Sequence, residues 1–280
     1  MTNLQPDTSI EDGWTARLRL EYKFKNNRTV LACNRHSGPL VVQRSLYPEN
    51  DVCHTYILHP PGGVVGGDKL EIDVVAGSET ATLLTTPGAT KFYRSDGKEG
   101  VQLQRLVVEP GGTLEWFPQE NILFPGAKAR IETRIDLADT ARFMGWEILC
   151  LGLPTNKEKF TTGRADTALS LYRNGEPVFQ DRLRVNGEKD LNALAGLHGF
   201  PVCATFIATG IPSGLLPALR QLVCREKKAQ YGVTLLDDLL VARYLGYSTF
   251  AARHLFTDIW KILRLKILGK VASVPRIWAT

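Results

Sequence analysis

Short runs of alternating apolar and polar residues, separated by proline and glycine turns, dominate the first two thirds of this chain. In residues 16–24, apolar Leu18, Leu20 and Tyr22 alternate with charged residues. A period of two is typical of a strand with one buried face. Similar runs continue to residue 185, and turn pairs such as Asn174-Gly175 separate most of them. Many strands without intervening helices predict a mainly β fold, either a layered β-sheet or a β-solenoid-like scaffold.

The last third of the chain changes to helical periodicity. Residues 215–230 and 249–268 have apolar residues at helical spacing, and a strand-like stretch, residues 233–245, lies between them. On the second helix the pattern places Arg253, Lys261 and Arg264 opposite the apolar face. We therefore expect a flexible leader, residues 1–13, followed by one domain over residues 14–280. That domain has a β-rich part, residues 14–212, and a C-terminal part with two α-helices, residues 213–280.

Charge and cysteine content exclude several classes of protein. The formal net charge is +5, which is too small to indicate nucleic-acid binding. Five widely spaced cysteines form no CxxC pair, so neither a zinc finger nor a redox motif is predicted, and a reducing compartment is indicated. The polar N-terminus lacks the features of a signal peptide, and no apolar run approaches the ~20 residues that cross a bilayer. We expect a cytoplasmic protein with no membrane partner.

The glycine-rich segment at residues 60–69 reads PPGGVVGGDK and resembles a phosphate-binding loop only briefly. A phosphate loop requires Gly-Lys-Ser/Thr and a following helix, whereas here Asp68 separates Gly67 from Lys69 and a strand pattern follows. A carboxylate at this position would repel phosphate. Two interpretations remain, a plain tight turn or a turn that directs Asp68 into a polar site.

No arrangement of residues in the sequence indicates catalysis. Glu115 and Glu120 could form an acid–base pair, but nothing in the sequence shows that they converge, and we expect them to be surface or hydrogen-bonding carboxylates. No GxSxG or HExxH motif occurs, and the five histidines are dispersed. A fixed metal cage is therefore not predicted, although single Asp, Glu and Cys residues can make weak, transient metal contacts.

Four segments in order resemble the UreD/UreH family of urease accessory proteins, and the resemblance extends from Trp14 to Trp278. The segments are residues 59–68, from HPPGG to GD; residues 85–94, TTPGATKFYR; residues 114–120, LEWFPQE; and residues 275–278, PRIW. One position departs from the family pattern: Leu153 stands where relatives usually have arginine in Leu-Gly-Arg-Pro.

The resemblance implies a non-catalytic scaffold with a layered β-fold and C-terminal helices. It implies that the protein bridges the urease apoprotein to a UreF-type helical protein and, through that complex, to a UreG-type GTPase. It also implies that nickel passes through a polar interior without a tightly bound cofactor. Motif matching assigns this path to Asp68 and Thr90, and the usual positions of acidic residues in the family add Glu147 and Asp181.

Two further expectations follow. If the chain were instead an enzyme, it would be a β-solenoid hydrolase that uses a carboxylate pair, Asp68 with Glu115 or Glu147. For the C-terminus we expect a loosely held tail in which Arg276, Ile277 and an exposed Trp278 bind the partner, because tryptophan and arginine are frequent interface hot spots. The alternative is that Trp278 folds back into the core.

Overall fold

The computed structural model describes residues 13–279, and its architecture is mainly β. The predicted leader lies outside the described residues apart from Gly13. The strands are β1 (Thr15–Lys25), β2 (Arg28–Ser37), β3 (Val41–Val42), β4 (Cys53–Leu58), β5 (Lys69–Ala76), β6 (Ala81–Thr85), β7 (Thr90–Phe92), β8 (Gly100–Val108), β9 (Thr113–Phe117), β10 (Asn121–Leu123), β11 (Lys128–Leu137), β12 (Arg142–Leu153), β13 (Glu158–Lys159), β14 (Arg164–Arg173), β15 (Glu176–Asn186), β16 (Val202–Ala208), β17 (Gln230–Leu236) and β18 (Leu239–Gly246).

The helices are few and, with one exception, short. They are α1 (Gly187–Leu191), α2 (Leu216–Arg220) and α3 (Thr249–Leu268), with 3-10 turns at Pro154–Asn156, Ser213–Leu215 and Arg276–Ala279. Within residues 13–279, no helix combines the length and the apolar character needed to cross a bilayer.

The strands form two sheets, and the chain alternates between them. Sheet 1 has seven strands in the order β15-β14-β11-β8-β5-β1-β2. Sheet 2 has eleven: eight follow the path β17-β18-β16-β12-β9-β6-β4-β3, and β7, β10 and β13 lie off that path. Strands β5, β8 and β11 lie parallel in sheet 1, and each is followed in the chain by a parallel strand of sheet 2, namely β6, β9 or β12. Successive coils therefore stack as in a β-solenoid, which confirms the predicted fold class.

Local sequence explains where these strands begin and end. Strand β5 alternates half-buried and buried residues along its whole length, as the period of two predicts. The β14–β15 hairpin turns at Asn174 and Gly175, whose φ angles are 50° and 84°. Positive φ at both central residues is the requirement of a type I′ turn, which asparagine and glycine meet at low energetic cost.

Two apolar layers hold the sheets and helix α3 together. The alternation along β9 shows the arrangement, because Leu114 and Trp116 pack in the cluster between the sheets, whereas Phe117 packs in the cluster under α3. Sheet 2 is therefore buried on both faces. The space between the two sheets is enclosed by side chains of both, and this is the space in which the polar site lies.

The C-terminal part agrees with the prediction in one helix and differs in the other. Helix α3 has the predicted bounds, because Ser248 accepts a hydrogen bond from the Ala251 N–H at its start and Gly269 adopts φ 65° at its end. The helix predicted over residues 215–230 is confined to Leu216–Arg220. This helix lacks a side-chain cap at its start. Near its end the Tyr231 hydroxyl donates a hydrogen bond to the Leu219 carbonyl oxygen at 3.0 Å. The predicted single strand 233–245 is a hairpin, β17 and β18.

Candidate cation path between the sheets

A row of polar side chains crosses the otherwise apolar space between the two sheets. Gln102 and Gln104 point inward from β8, and Gln102 donates to Asn121 Oδ1 at 3.5 Å. The Thr133 hydroxyl on β11 donates to Gln104 Oε1 at 2.8 Å and also contacts the Glu147 carboxyl group on β12. Burial of polar groups is unfavourable unless they are hydrogen-bonded, so this row is a specific feature of the interior.

Two cavities accompany this row and meet at Asn121. The first, of about 290 Å³, has His59, Thr90, Gln102 and Gln104 in its wall. The second, of about 270 Å³, is lined by Asn121 and by Glu147, Asp181, Cys203 and Thr205, among others. Because Asn121 belongs to both walls, polar atoms follow one another from the first cavity to the second.

Asp68 lies beside the first cavity and carries a buried oxygen atom with no partner. Its carboxylate is 2% exposed, and the Val65 N–H donates to Oδ2 at 2.9 Å. Oδ1 has no hydrogen-bond partner, and neither has Nε2 of the nearby His59. Burial lowers the pKa of His59, although the negative charge of Asp68 opposes that shift. The neutral imidazole and the carboxylate both retain free lone pairs, which are what a metal cation requires.

The turn before Asp68 explains the glycine-rich segment. Gly67 adopts φ 98°, and an added Cβ atom at Gly66 would lie 2.1 Å from Ser95 Oγ. Only glycine fits such a conformation and such a close approach. The turn therefore buries Asp68 within the protein, and its role in a polar site stays a prediction.

Glu147 is the acidic group at which the row reaches the second cavity. Burial and the negative charge of Asp181 raise the pKa of Glu147 to about 7, although the hydrogen bond with Thr133 opposes the shift. The Thr133 hydroxyl has one proton, and Gln104 Oε1 and the Glu147 carboxyl oxygen both lie within its reach. A protonated Glu147 can donate to Thr133 while Thr133 donates to Gln104, so proton retention satisfies all three groups.

The four predicted path residues lie in two groups. Thr90 is in the wall of the first cavity with Asp68 nearby, and Glu147 and Asp181 share the second cavity. Over residues 13–279, no three His, Cys, Asp or Glu side chains gather closely enough to hold a metal ion.

Several residues of this region were not recognised in the sequence. They are His59, Gln102, Gln104, Asn121, Thr133, Cys203 and Arg243. In β8 the glutamines face inward, whereas Val101 and Leu103 occupy the outward positions. The glutamines share the inward face with Leu106 and Val108, so the first half of this strand buries polar side chains where apolar ones are usual.

The carboxylate pairs considered for a hydrolase do not form. Glu115 lies on the α3 side of sheet 2, where Arg264 donates to it at 2.9 and 3.2 Å and Trp260 Nε1 donates at 2.6 Å. Glu147 faces the opposite side of the same sheet, and Asp68 lies outside the cavity that Glu147 lines. Glu120 is near Arg253 rather than Glu115. Glu115 is thus a structural ion-pair residue.

Two predictions about charged and aromatic side chains at the C-terminus are wrong. Arg264 was placed on the solvated face of α3 but is fully buried, because Glu115 and Glu49 both pair with it. Trp278 was expected to be exposed on a loose tail. Instead its Nε1 donates to Thr85 Oγ1 at 2.8 Å, and its ring lies 5.3 Å from that of Trp146. The partner-binding role of Arg276, Ile277 and Trp278 stays a prediction.

These features define a class: a β-solenoid-like scaffold with a polar interior and one long helix packed on its second sheet. The family model described as UreD urease accessory protein matches residues 15–279. The chain belongs to the UreD family of urease accessory proteins.

Individual relatives agree over nearly their whole length. The chain is 49% identical to the urease accessory protein UreD of Alcanivorax borkumensis, over 98% of this chain and 95% of the relative. It is 45% identical to UreD of Dechloromonas aromatica, over 99% and 97%. With the protein named UreD 2 of Brucella anthropi it shares 41% identity, over 97% and 100%. These relatives are named as accessory proteins of urease and not as enzymes.

Proposed function

We propose that this chain acts in the maturation of urease by providing an interior path for nickel ions between its two sheets. The observation that carries the proposal is the polar row that joins the two cavities and ends on Glu147 and Asp181. In a family of accessory proteins, a buried polar path suits transport of a cargo ion better than catalysis.

The chemistry of the row suits a cation that must move on. Carboxylate, amide and hydroxyl oxygens are weaker ligands for nickel than thiolates and imidazoles, and ion conduction needs sites that bind weakly enough to release. Asp68, whose buried Oδ1 has no hydrogen-bond partner, would serve at one end of the path, with Thr90 in the wall of the first cavity. Glu147 and Asp181 would serve at the other.

The proposal includes partners that follow from the family. The urease apoprotein would receive the ion, and a UreF-type protein and a UreG-type GTPase would supply it through a joint complex. The compartment would be the cytoplasm.

The test is Glu147→Gln, which keeps size and hydrogen bonding but removes the ionisable oxygen. Urease matured with this variant should contain much less nickel by elemental analysis, while the variant still co-purifies with the urease apoprotein. Glu132→Gln is the matched control, because Glu132 pairs with Arg130 on the outer face of sheet 1. Full nickel content with Glu147→Gln would contradict the proposal.

A further inference from the structure

Glu147, Thr205 and Arg243 form a line across three neighbouring strands. Glu147 on β12 pairs in register with Thr205 on β16, and Thr205 pairs with Arg243 on β18. Paired residues on adjacent strands point to the same face of a sheet, so all three side chains face the space between the sheets. Asp181 approaches the end of this line from β15 of sheet 1, and its Oδ2 lies 2.8 Å from Arg243 Nη1.

The ion pair lies at the opening of the second cavity. The Arg243 and Asp181 side chains are 54% and 27% exposed, and both residues line the cavity together with the deeper Glu147. The positive end of Arg243 is thus placed where solvent meets the polar row.

We propose that Arg243 is a gate residue that keeps cations out of the second cavity as long as it pairs with Asp181. The inference rests on the proposed nickel path and adds a control element to it. The Arg243 guanidinium pairs with the Asp181 carboxylate that a divalent ion would bind. Its positive charge also repels such an ion at close range. When the guanidinium turns towards solvent, Asp181 and Glu147 become available together.

A gate would prevent the wrong cations from binding to the acidic residues of the second cavity. Two carboxylates at an open cavity would attract magnesium and calcium, since both ions prefer oxygen ligands. If the Arg243 side chain leaves Asp181 only when the protein is in the complex, the carboxylates stay closed to other cations until nickel is delivered. Arg243 can serve in this way because more than half of its side chain is exposed to solvent and lies outside the apolar core.

The experiment is calorimetric titration of the purified full chain with nickel ions alone. Arg243→Gln should bind nickel about tenfold more tightly than the parent, because one positive charge leaves the cavity opening. Arg243→Lys should bind nickel as the parent does, since it keeps the positive charge. Arg173→Gln is the matched control and should leave the affinity unchanged, because Arg173 pairs with Asp238 at 3.0 Å outside this cavity.

A double variant locates the effect. Arg243→Gln combined with Asp181→Asn should lose the gain in affinity if the exposed carboxylate causes it. Unchanged nickel affinity in Arg243→Gln, an equal gain in Arg173→Gln, or a gain that survives in the double variant would each overturn the gate. Arg243→Met, which keeps the aliphatic stem, gives the same comparison if the amide disturbs folding. None of these outcomes decides the nickel path itself, which depends on the urease nickel content of Glu147→Gln.

Discussion

The Glu147 carboxyl group is buried close to Asp181, and this should make the stability of the protein depend on pH. Its pKa is raised from 4.5 to about 7 in the folded chain. Between these values the folded state holds a proton that the unfolded state has lost, so the free energy of unfolding falls as pH rises through this window. Above pH ~7 the destabilisation is complete and amounts to about 3 kcal/mol.

Glu147→Gln removes this titration. We expect the variant to be more stable than the parent at about pH 8, by up to that amount, and equal to it within error at about pH 5. Urea unfolding at the two pH values measures the difference. Glu132→Gln, at a partly exposed ion pair, should shift stability by less than ~1 kcal/mol at either pH. An equal effect of Glu147→Gln at both pH values would contradict the assignment.

Asp68 has a structural contact that decides how its role is tested. Because Oδ2 accepts the Val65 N–H, alanine at this position would also break a turn. Asp68→Asn keeps an acceptor oxygen but removes the charge, so we expect a melting temperature near that of the parent and a lower nickel content in urease. Normal nickel content with a normal melting temperature would remove Asp68 from the path.

The sequence indicates these acidic residues but not their neighbours. Asp68 and Thr90 belong to motifs that can be matched locally. Gln102, Gln104 and Asn121 have polar side chains of the kind that usually face solvent, whereas the pairing of β8 and β10 with neighbouring strands places them inside. Which face of a strand is buried depends on pairing partners far along the chain, and a local pattern does not contain them.

At the scale of elements, helix α3 should depend strongly on one buried ion-pair network. Arg264 is fully buried and donates to Glu115 and Glu49. Removal of one member leaves a buried charge uncompensated, so Arg264→Met should lower the free energy of unfolding by about 3–5 kcal/mol. Urea denaturation at neutral pH checks this value.

The coupling within the network can be measured directly. Adding Glu115→Gln to Arg264→Met removes the stranded carboxylate, so the double variant should be more stable than Arg264→Met alone. If the losses in free energy of unfolding caused by Glu115→Gln and by Arg264→Met simply add in the double variant, Glu115 and Arg264 do not stabilise each other.

Helix α3 also shows why some elements are predictable. Its bounds follow from local signals, a serine cap at Ser248 and a left-handed Gly269. The stretch at residues 215–230 has helical periodicity but no capping side chain, and contacts with β17 end the helix after one turn. Likewise, the burial of Arg264 depends on Glu115, 149 residues away in sequence, which no helical pattern contains.

At the scale of the whole molecule, the number and type of strands follow from the sequence, but their stacking does not. The solenoid has no fixed-period repeat, because its coils differ in length and its sheets are extended by antiparallel strands at their edges. Which strand lies above which is decided by how side chains from both sheets fill the space between them.

The C-terminal tail packs against the apolar cluster under helix α3 through Trp278. The Trp278 ring lies 5.3 to 6.0 Å from the rings of Phe117, Trp146 and Trp260, and the rings form one aromatic cluster. Trp278→Ala should therefore lower the free energy of unfolding by about 2–4 kcal/mol, less than a fully buried tryptophan would. Arg276 is exposed, so Arg276→Ala should leave the melting curve unchanged.

Comparison of Trp278→Ala with Arg276→Ala distinguishes a structural role of the tail from a binding role. Deletion of residues 275–280 would remove both side chains at once and could not make this distinction. If the tail also binds a UreF-type partner, Arg276→Ala should weaken capture of that partner by the folded chain, since arginine is enriched among interface hot spots. Thermal melting and a pull-down of the same two variants are the measurements. Intact capture by Arg276→Ala would show that Arg276 contributes nothing to partner binding. A melting temperature unchanged by Trp278→Ala would show that the aromatic cluster does not need the tail.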